Sequence, residues 1–306
     1  MPTSTTVLDR LRWDDGRTVI SPPSPHPGAW AGAPCALPAD GHIYLAYRLR
    51  RPIGQGRGYA NVVARSRDGV SFRTVAAVGK DLFGAESLER PCLVVTDDGR
   101  WRLYVSCATP STHHWRVDLL EAATPEGLAE ATPRTVLPGD ADLAVKDPVI
   151  LQVNGTWHLW ASCHPLTDVD HTDRMTTEYA VSEDGVSWQW QGTALRGRPG
   201  TWDARGVRIS AVLPGATTLA FYDGRATAQE NWEERTGVAT GNGRFGFFEA
   251  SGEEPALTSP HKPGGLRYLT VVDVPGGGRR YYYEGTRADG AHELRTQLVG
   301  DAATGG

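Results

Sequence analysis

Lysine is nearly absent from this chain of 306 residues, in which it occurs only at positions 80, 146 and 262. The other basic residues are arginines, and they form no contiguous basic block. Nucleic-acid-binding proteins concentrate positive charge on one face or segment, whereas this chain carries a formal net charge of −5. We therefore expect no nucleic-acid partner. Apolar runs are also short, and none approaches the roughly eighteen residues of a membrane-spanning helix, so we expect no membrane partner.

The sequence also lacks the signs of export and of zinc binding. Its first residues, MPTSTTVLDRLRWDDG, contain no apolar segment of the kind that forms a signal peptide. The four cysteines, at 35, 92, 107 and 163, show neither a CxxC pair nor the Cys/His spacing of a zinc site. We therefore expect a cytoplasmic protein whose thiols are reduced and buried.

Glycine and proline are abundant, with 36 and 21 residues respectively, and their share is well above average usage. They are spread along the whole chain, which also contains ten tryptophans and ten tyrosines. A chain so rich in aromatic residues has the means to build a packed core, so the excess indicates many turns rather than disorder.

A repeat of 57 residues organises these turns. Pro34, Pro91 and Pro148 occupy the same place in three successive copies, and one further step reaches Arg205. The three copies are GAPCALPADGHIYLAYR (32–48), ERPCLVVTDDGRWRLYVSCATP (89–110) and KDPVILQVNGTWHLWASCHP (146–165), and a looser fifth copy covers 264–287. Between the copies, ARSRDGVSF at 64–72 matches AVSEDGVSW at 180–188.

Each unit has the pattern strand, turn, strand, loop, strand, DG turn, strand, because apolar, β-branched and aromatic runs alternate with hairpin signals. Four antiparallel strands repeated five times predict an all-β fold, a five-bladed β-propeller. A two-sheet sandwich or a solenoid is the alternative. We expect the propeller over 28–298, an N-terminal segment 1–27 whose Val7–Trp13 strand closes the last blade, and a flexible tail over 299–306.

The unusual polar residues fall where strand one begins and strand two ends, which is one face of a propeller and a natural place for a concave site. Carboxylates from different blades suit general acid/base catalysis, while arginine and tryptophan suit a sugar. The candidates for catalysis are Glu89, Asp147 and Asp203. The candidates for substrate binding are Arg90, Lys146, His164, Arg205, Asp223, Arg225, Trp232 and Arg267.

Each candidate also has a structural reading. Glu89 and Arg90 could form an ion pair at a strand entrance, Asp147 could accept backbone N–H groups, and Asp203 could pair with Arg205 or Arg208. A list of metal-ligand types, His164, Asp168, Asp170, His171 and Asp173, lies in one polar loop, where such lists arise by chance, so we expect no metal there. No cofactor is expected, and an axial calcium or sodium ion stays open. Trp101, Trp157, Trp160, Cys92, Cys107 and Cys163 lie within strands and are expected in the core.

Four short motifs carry a family resemblance: ERP at 89–91, KDP at 146–148, SEDGVSW at 182–188 and FYDGRATAQENWEERTG at 221–237. With the repeat, they make the chain resemble the five-bladed propeller glycosidases, which include glycoside hydrolase families 43, 32, 62 and 130. KDP resembles the family 32 element whose Asp supports the transition state, and ERP resembles the family 43 element that carries the acid. The resemblance implies a glycoside hydrolase acting on an oligosaccharide or small glycoside.

One departure from the family pattern affects the mechanism. Families 43 and 32 have an Asp at the start of the first inner strand, where this chain reads Trp30-Ala31-Gly32-Ala33-Pro34. A rearranged set would use Glu89 as proton donor, Asp203 as base and Asp147 for orientation. Glu89, Lys146 and Asp203 share one register of the repeat while Arg90 and Asp147 share the next, and neighbouring strand residues face opposite sides.

Two alternatives to hydrolysis remain open at this stage. The chain also resembles the family 130 phosphorylases, which would imply phosphate held by a basic cluster drawn from Arg90, Lys146, Arg205, Arg225 and Arg267. The absent first-blade Asp instead favours a sugar-binding or non-hydrolytic propeller protein.

Overall fold

The computed structural model describes residues 11–167 and 173–300. Within these ranges the regular structure consists of twenty β-strands and short 3₁₀ turns, with no α-helix, so the expected all-β class is confirmed. The 3₁₀ turns are Trp13–Asp15, Lys80–Phe83, Glu126–Glu130 and Ala228–Glu230. No helix in the described part of the chain has the length and apolarity to cross a membrane.

Antiparallel pairing divides nineteen of the strands into five successive groups. Group one contains β2 (Trp30–Ala39), β3 (His42–Arg50), β4 (Gly58–Ser66) and β5 (Arg73–Gly79). Group two contains β6 (Leu88–Val95), β7 (Trp101–Ala108), β8 (Trp115–Ala122) and β9 (Arg134–Leu137). Group three contains β10 (Leu143–Val153), β11 (Thr156–Pro165), β12 (Thr176–Ser182) and β13 (Gln189–Leu195).

Group four contains β14 (Gly206–Leu213), β15 (Leu219–Arg225), β16 (Arg235–Gly241) and β17 (Phe248–Ser251). Group five contains β18 (Leu266–Asp273), β19 (Arg279–Thr286) and β20 (His292–Val299). The remaining strand, β1 (Arg17–Ile20), pairs antiparallel with β20. A strand from the N-terminal part therefore adds to the last group, but it lies at Arg17–Ile20 and not within the expected segment Val7–Trp13. Of that segment, residues 11–13 form no strand and residues 7–10 lie outside the described part.

The first strands of the five groups lie next to one another. β2 contacts β6, β6 contacts β10, β10 contacts β14, β14 contacts β18, and β18 contacts β2. The same end of every first strand consequently faces a common centre, and side chains far apart in sequence converge there.

Every first strand has a register shift near its beginning, where one or two residues are left out of the pairing with the second strand. Ala33, Asp147 and Tyr268 lie at these shifts with positive φ values of 53°, 55° and 54°. A β-bulge of this kind re-aims a side chain and is common beside functional sites. The residue just before the shift is Gly32, Lys146 and Arg267 in groups one, three and five. In group four it is Ile209, which follows Arg208.

The core lies between neighbouring groups, as expected from the tryptophan and cysteine positions. Trp101 and Cys107 pack with Tyr44 and Val63 of group one, and Trp157 and Cys163 belong to a cluster shared by groups two and three. Trp160 is fully buried between groups three and four, where its Nε1–H donates to the carbonyl of Gly246. These side chains hold adjacent groups face to face.

The DG turns also join neighbouring groups. Asp184 Oδ1 accepts the N–H groups of Val186 and Ser187 at 2.8 Å each, and Gly185 supplies a positive φ of 71° that favours glycine. Tyr104 of group two donates its hydroxyl to the Gly185 carbonyl at 2.8 Å. In the same way, Tyr282 of group five donates to Gly69 in the DG turn of group one.

Replacing Asp184 by alanine is expected to lower the free energy of unfolding by about 1–2 kcal/mol, because two backbone N–H groups lose their acceptor. Partial burial opposes ionisation, but the Ser187 and Val186 N–H groups lower the pKa of this carboxyl. Its contribution is therefore complete above the unfolded value of about 3.9 and declines as pH falls below it, so the wild-type advantage should shrink in acid. Urea unfolding at pH 7 and pH 3 measures both effects, with exposed Glu183→Ala as the control.

Candidate functional site

A polar cavity of about 220 Å³ lies where the first strands begin. Its lining comes from all five groups, and basic side chains outnumber acidic ones by seven to three. The basic residues are Arg48, Arg50, Arg57, Lys146, Arg208, Arg225 and Arg267. The acidic residues are Glu89, Asp173 and Glu234, and the aromatic residues are Trp30, Trp115, Trp232 and Tyr268.

Glu89 enters the cavity from β6 and is 5% exposed. One of its oxygens forms an ion pair with Arg48, and the other lies 3.6 Å from Arg50 Nη1. Arg48 is shared, because its other terminal nitrogen donates to Glu284 at 2.9 Å. Glu89 is therefore neutralised by one shared arginine and one more distant arginine.

Glu234 is held more tightly than Glu89. Its Oε1 accepts Arg225 Nη1 at 2.6 Å and its Oε2 accepts Arg267 Nη1 at 2.6 Å, while Arg208 lies 3.9 Å away. Burial opposes ionisation, but the three arginines, Arg267 foremost, lower the pKa of Glu234 far below its usual range. This carboxylate is ionised at any physiological pH.

Asp173 is the third carboxylate of the lining and lies at the edge of the cavity. Arg205 binds it through two nitrogens, Nε at 2.9 Å and Nη2 at 2.7 Å. Burial opposes ionisation of Asp173, but the hydrogen bonds from Arg205 and the positive charge of Arg225 lower the pKa of this carboxyl. Arg205 thus reaches the site through Asp173 and does not line the cavity.

Asp147 lies fully buried beneath the cavity at the bulge of β10. Its carboxylate accepts Arg208 Nη1 at 3.1 Å, the Tyr268 hydroxyl at 3.3 Å and the backbone N–H of Arg90 at 3.3 Å. Burial opposes its ionisation, but Lys146 and Arg208 lower the pKa of Asp147. Asp147 therefore acts on the cavity through Arg208 and Tyr268, which line it.

Asp223 occupies a similar buried place on β15. It accepts Nε and Nη2 of Arg208 at 3.1 and 2.9 Å, and also the backbone N–H of Tyr268. Burial dominates here, and it raises the pKa of Asp223 to about 6 despite Arg208. Arg208 is consequently fixed by two buried carboxylates, Asp147 and Asp223.

A carboxylate from group five reaches the segment where the family pattern has its first-blade Asp. Glu284 Oε2 accepts the backbone N–H of Ala33 at 2.9 Å, and its other oxygen is held by Arg267 and His292. A Cβ atom placed on Gly32 would collide with the Glu284 carboxyl group. Glycine at 32 therefore makes room for a negative charge supplied from β19.

The excess of basic residues is visible in two pKa values. Burial and the charges of Arg208 and Arg225 lower the pKa of Lys146 to about 8, although Asp147 opposes the shift. Burial, followed by Arg48, Arg57 and Arg267, likewise lowers the pKa of Arg50. Both cations lie where basic side chains outnumber acidic ones, so an anionic ligand would favour their charged forms.

The structure brings most of the sequence candidates to one place. Six of them line the polar cavity: Glu89, Lys146, His164, Arg225, Trp232 and Arg267. Asp147 and Asp223 lie beneath it through their contacts with Arg208, and Arg205 touches it through Asp173. Arg90 lies deeper, where its Nη2 donates to the carbonyls of Pro34 and Ser210.

Asp203 lies elsewhere. It is fully buried in the loop before β14, and its oxygens accept Arg198 Nε at 3.0–3.2 Å, the Tyr222 hydroxyl at 2.7 Å and the Thr201 hydroxyl. Counted back from Val149 and Ala211, where pairing with the second strand resumes, the residue equivalent to Lys146 is Arg208, so the connection before β14 is longer than a strict 57-residue repeat allows. The structural pairing considered for Asp203 was with Arg205 or Arg208, but its ion-pair partner in the structure is Arg198.

Several lining residues were not among the sequence candidates. Glu234 precedes β16, and Trp30, Arg50 and Tyr268 lie on strands of groups one and five. Arg208 could have been found by aligning ARGVRIS with the earlier copies on its apolar run instead of on a fixed step. Of the polar loop, Asp168, Asp170 and His171 lie outside the described residues, and no cluster of three metal-ligand side chains occurs within the described ranges.

Replacing Gly32 by alanine is expected to lower the free energy of unfolding by at least about 2 kcal/mol, because the new methyl group would overlap a buried carboxylate fixed by Arg267 and His292. Gly79→Ala is the matched control, since the nearest atom to its Cβ position is 3.8 Å away. Thermal unfolding of both variants is the measurement. Equal stabilities would contradict the proposed packing of Glu284 against Gly32.

No protein-family model matches the chain, and no curated protein matches it. Solved structures do. An alpha-L-arabinofuranosidase from Lactobacillus brevis is 16% identical, with a TM-score of 0.67 over 90% of this chain and 92% of that chain. A glycosyl hydrolase from Bacteroides ovatus is 17% identical, with a TM-score of 0.64 over 95% and 97%.

A beta-1,2-mannobiose phosphorylase from Listeria innocua is 15% identical, with a TM-score of 0.62 over 96% of this chain and 94% of that chain. The similarity in each case extends over nearly the whole of both chains. The resemblance expected from the sequence is therefore confirmed at the level of fold: this chain has the fold of the propeller glycosidases.

Proposed function

We propose that the protein is a five-bladed β-propeller enzyme that binds a glycoside in the polar cavity and breaks a glycosidic bond there. The five strand groups and the cycle of contacts between their first strands support the propeller. The observation that carries the function is the convergence of three carboxylates, from three groups, on one small cavity with aromatic walls. Of the possible reactions, hydrolysis is the one that these three carboxylates favour most.

The walls of the cavity suit a sugar ring. Trp30 and Trp232 lie edge to face at 5.8 Å, with the Arg50 guanidinium 3.9 and 4.9 Å from their respective ring centres. Trp232 is 39% exposed, an uncommon exposure for so large an apolar side chain. Across the cavity Lys146 lies 4.8 Å from the Trp115 ring. Trp232 and the partly exposed Trp115 can stack on the sugar while the adjacent cations donate to its oxygens. Trp30, which is buried and stacked on His292, supports this wall from behind.

Glu89 is our choice of proton donor. A general acid must hold a proton at the start of the reaction, and Glu234 and Asp173 are ionised by their arginine partners. Glu89 has the weakest neutralisation of the three, because Arg48 is shared with Glu284 and Arg50 is 3.6 Å away. In this scheme the proton moves from Glu89 to the leaving-group oxygen.

The ionised carboxylates then act on the attacking water and on the anomeric carbon. Glu234 or Asp173 would accept a proton from the attacking water and stabilise positive charge at the anomeric carbon. Asp147 is a positioning residue, because it orients Arg208 and Tyr268 without lining the cavity. The role of base that the sequence favoured for Asp203 passes in this proposal to Glu234 or Asp173.

Phosphorolysis is the second candidate, and the excess of cations favours it. Lys146, Arg225 and Arg267 of the expected phosphate cluster line the cavity, and burial among other cations disfavours the charged form of Lys146. Inorganic phosphate would relieve this repulsion and would replace water as the nucleophile.

Glu89→Gln is expected to lower kcat on an unactivated disaccharide by about 10²–10⁴-fold, because the leaving group loses its proton source. The loss should be much smaller on a 2,4-dinitrophenyl glycoside, whose leaving group needs no proton. Turnover of a panel of both substrate types, with and without phosphate, distinguishes hydrolysis from phosphorolysis. Glu121→Gln, outside the cavity, is the control.

An equal loss on both substrate types would contradict the assignment of Glu89 as proton donor. Saturable sugar binding in calorimetry, with no turnover of any substrate, would favour a sugar-binding protein over an enzyme.

Lys146→Met is expected to weaken anion binding by about 10-fold or more, since one charge-assisted hydrogen bond is lost. Because the pKa of Lys146 is lowered to about 8, the ammonium is present below that pH and is lost above it. Wild-type affinity for sulfate, whose charge is constant in this range, should therefore fall between pH 7 and pH 9.

Calorimetric titrations with sulfate at both pH values provide the measurement, with Lys80→Met as the control outside the cavity. The pH dependence should be reduced in Lys146→Met and in Lys146→Arg, which keeps its charge. A pH dependence equal to that of the wild type in both variants would show that another group is responsible.

A further inference from the structure

A second, mainly apolar cavity of about 490 Å³ lies at the opposite end of the first strands. Its walls are the later residues of β2, β6, β10, β14 and β18, whereas the polar cavity is lined by their beginnings. Arg90 lies between the two, bridging the carbonyls of Pro34 in group one and Ser210 in group four. The apolar cavity therefore has its own surroundings and its own opening.

Two thiols meet in the wall of this apolar cavity. Cys35 of β2 and Cys92 of β6 occupy equivalent places in neighbouring groups, and their sulfur atoms are 4.0 Å apart. Cys35 is partly exposed, while Cys92 is 3% exposed. Cys35 Sγ also accepts the backbone N–H of Leu93 at 3.3 Å. One thiol is thus open to the cavity, and the other lies directly behind it.

We propose that Cys35 and Cys92 form an oxidisable thiol pair. A hydroperoxide that enters the apolar cavity converts this pair to a disulfide, which links β2 to β6. The inference is independent of the function proposed above, because neither cysteine lines the polar cavity.

The surroundings of Cys35 make it the attacking group. The thiolate is the reactive form of cysteine, and here it is stabilised by the Cys92 S–H, by the charge of Arg90 and by the Leu93 N–H. These groups lower the pKa of Cys35 to about 7, although burial opposes the shift. Cys92 has a raised pKa and stays a thiol until the second step.

Oxidation of the thiol pair takes two steps. The Cys35 thiolate attacks the terminal oxygen of the hydroperoxide, the O–O bond breaks, and the alkoxide takes a proton and leaves as the alcohol, which gives a sulfenic acid at Cys35. The Cys92 sulfur then attacks the Cys35 sulfur, an S–S bond forms, the S–O bond breaks, and water leaves with the Cys92 proton. The hydroperoxide is reduced by two electrons and the pair is oxidised by two.

Geometry favours the second step over further oxidation. The sulfur atoms need only approach from 4.0 Å to the S–S bond length of about 2.05 Å, and the two strands that carry them already lie side by side. A resolving thiol at this distance competes with the additional peroxide that a sulfinic acid would need.

The other two cysteines serve as internal controls. Cys107 and Cys163 are buried at 0% and 1% exposure and line neither cavity. Burial raises the pKa of both thiols, so they carry very little thiolate at neutral pH. We expect Cys35 to react with hydrogen peroxide at least about 10-fold faster than either of them.

The test is oxidation of the full chain with hydrogen peroxide at pH 7, followed by alkylation, trypsin digestion and mass spectrometry. The expected product is a cross-linked pair of peptides, residues 18–48 joined to residues 81–100, with the mass of the two thiol peptides less two hydrogen atoms. Cys107 and Cys163 should be recovered as alkylated thiols. Formation should slow as pH is lowered from 8 to 6, because the thiolate of Cys35 is lost.

Cys92→Ser provides the second arm. Without the resolving thiol, the Cys35 sulfenic acid should persist and be trapped by dimedone, whereas Cys35→Ser should leave Cys92 unmodified over the same time. The proposal is overturned if folded wild-type protein forms no cross-linked peptide, or if Cys107 and Cys163 oxidise as fast as Cys35. Because the wild-type measurement stands alone, it decides the matter even where a variant folds poorly.

Discussion

The structure depends on a chain of buried charges that alternate in sign at the centre of the five strand groups. Arg208 is shared by Asp147 and Asp223, Arg267 by Glu234 and Glu284, and Arg48 by Glu89 and Glu284. Each of these groups is nearly or fully buried, where an unpaired charge is very costly. The strand beginnings must therefore keep their positions for any one of them to remain neutralised.

This network also explains why the cavity is polar and small. The bulges of the first strands turn Asp147 and Tyr268 out of the ladder pattern, and the arginines between the carboxylates fill the remaining space. Basic side chains outnumber acidic ones in the lining by seven to three, so positive charge remains after the carboxylates are paired. A ligand with negative charge or many hydroxyl oxygens complements such a surface.

Much of this arrangement could be predicted from the sequence, because a strict period makes equivalent residues visible. Pro34, Pro91 and Pro148 identified the first three groups, and Glu89 and Lys146 were placed on the correct strand ends. The repeat mispredicts group four, because a longer loop displaces the register and puts Asp203 at the position expected for Arg208. A period measured from three copies contains no information about an insertion in the fourth.

Other parts of the site could not be predicted from the sequence for a different reason. Glu234 and Asp173 are brought in by connections between strands, and the carboxylate beside Gly32 comes from β19, about 250 residues further along the chain. Sequence reasoning identified the gap at Gly32 but had no means of seeing what fills it, since that depends on the packing of groups one and five.

The tyrosine contacts to the DG turns have a consequence for how the protein comes apart. Tyr104 of group two donates a hydrogen bond to a turn of group three, and Tyr282 of group five donates one to a turn of group one. A group that frays therefore removes a hydrogen-bond partner from its neighbour as well as from itself. Local opening is therefore coupled between groups two and three and between groups five and one. These two hairpin turns, each bonded to a tyrosine of the neighbouring group, should open together with the contacts between the groups and not ahead of them.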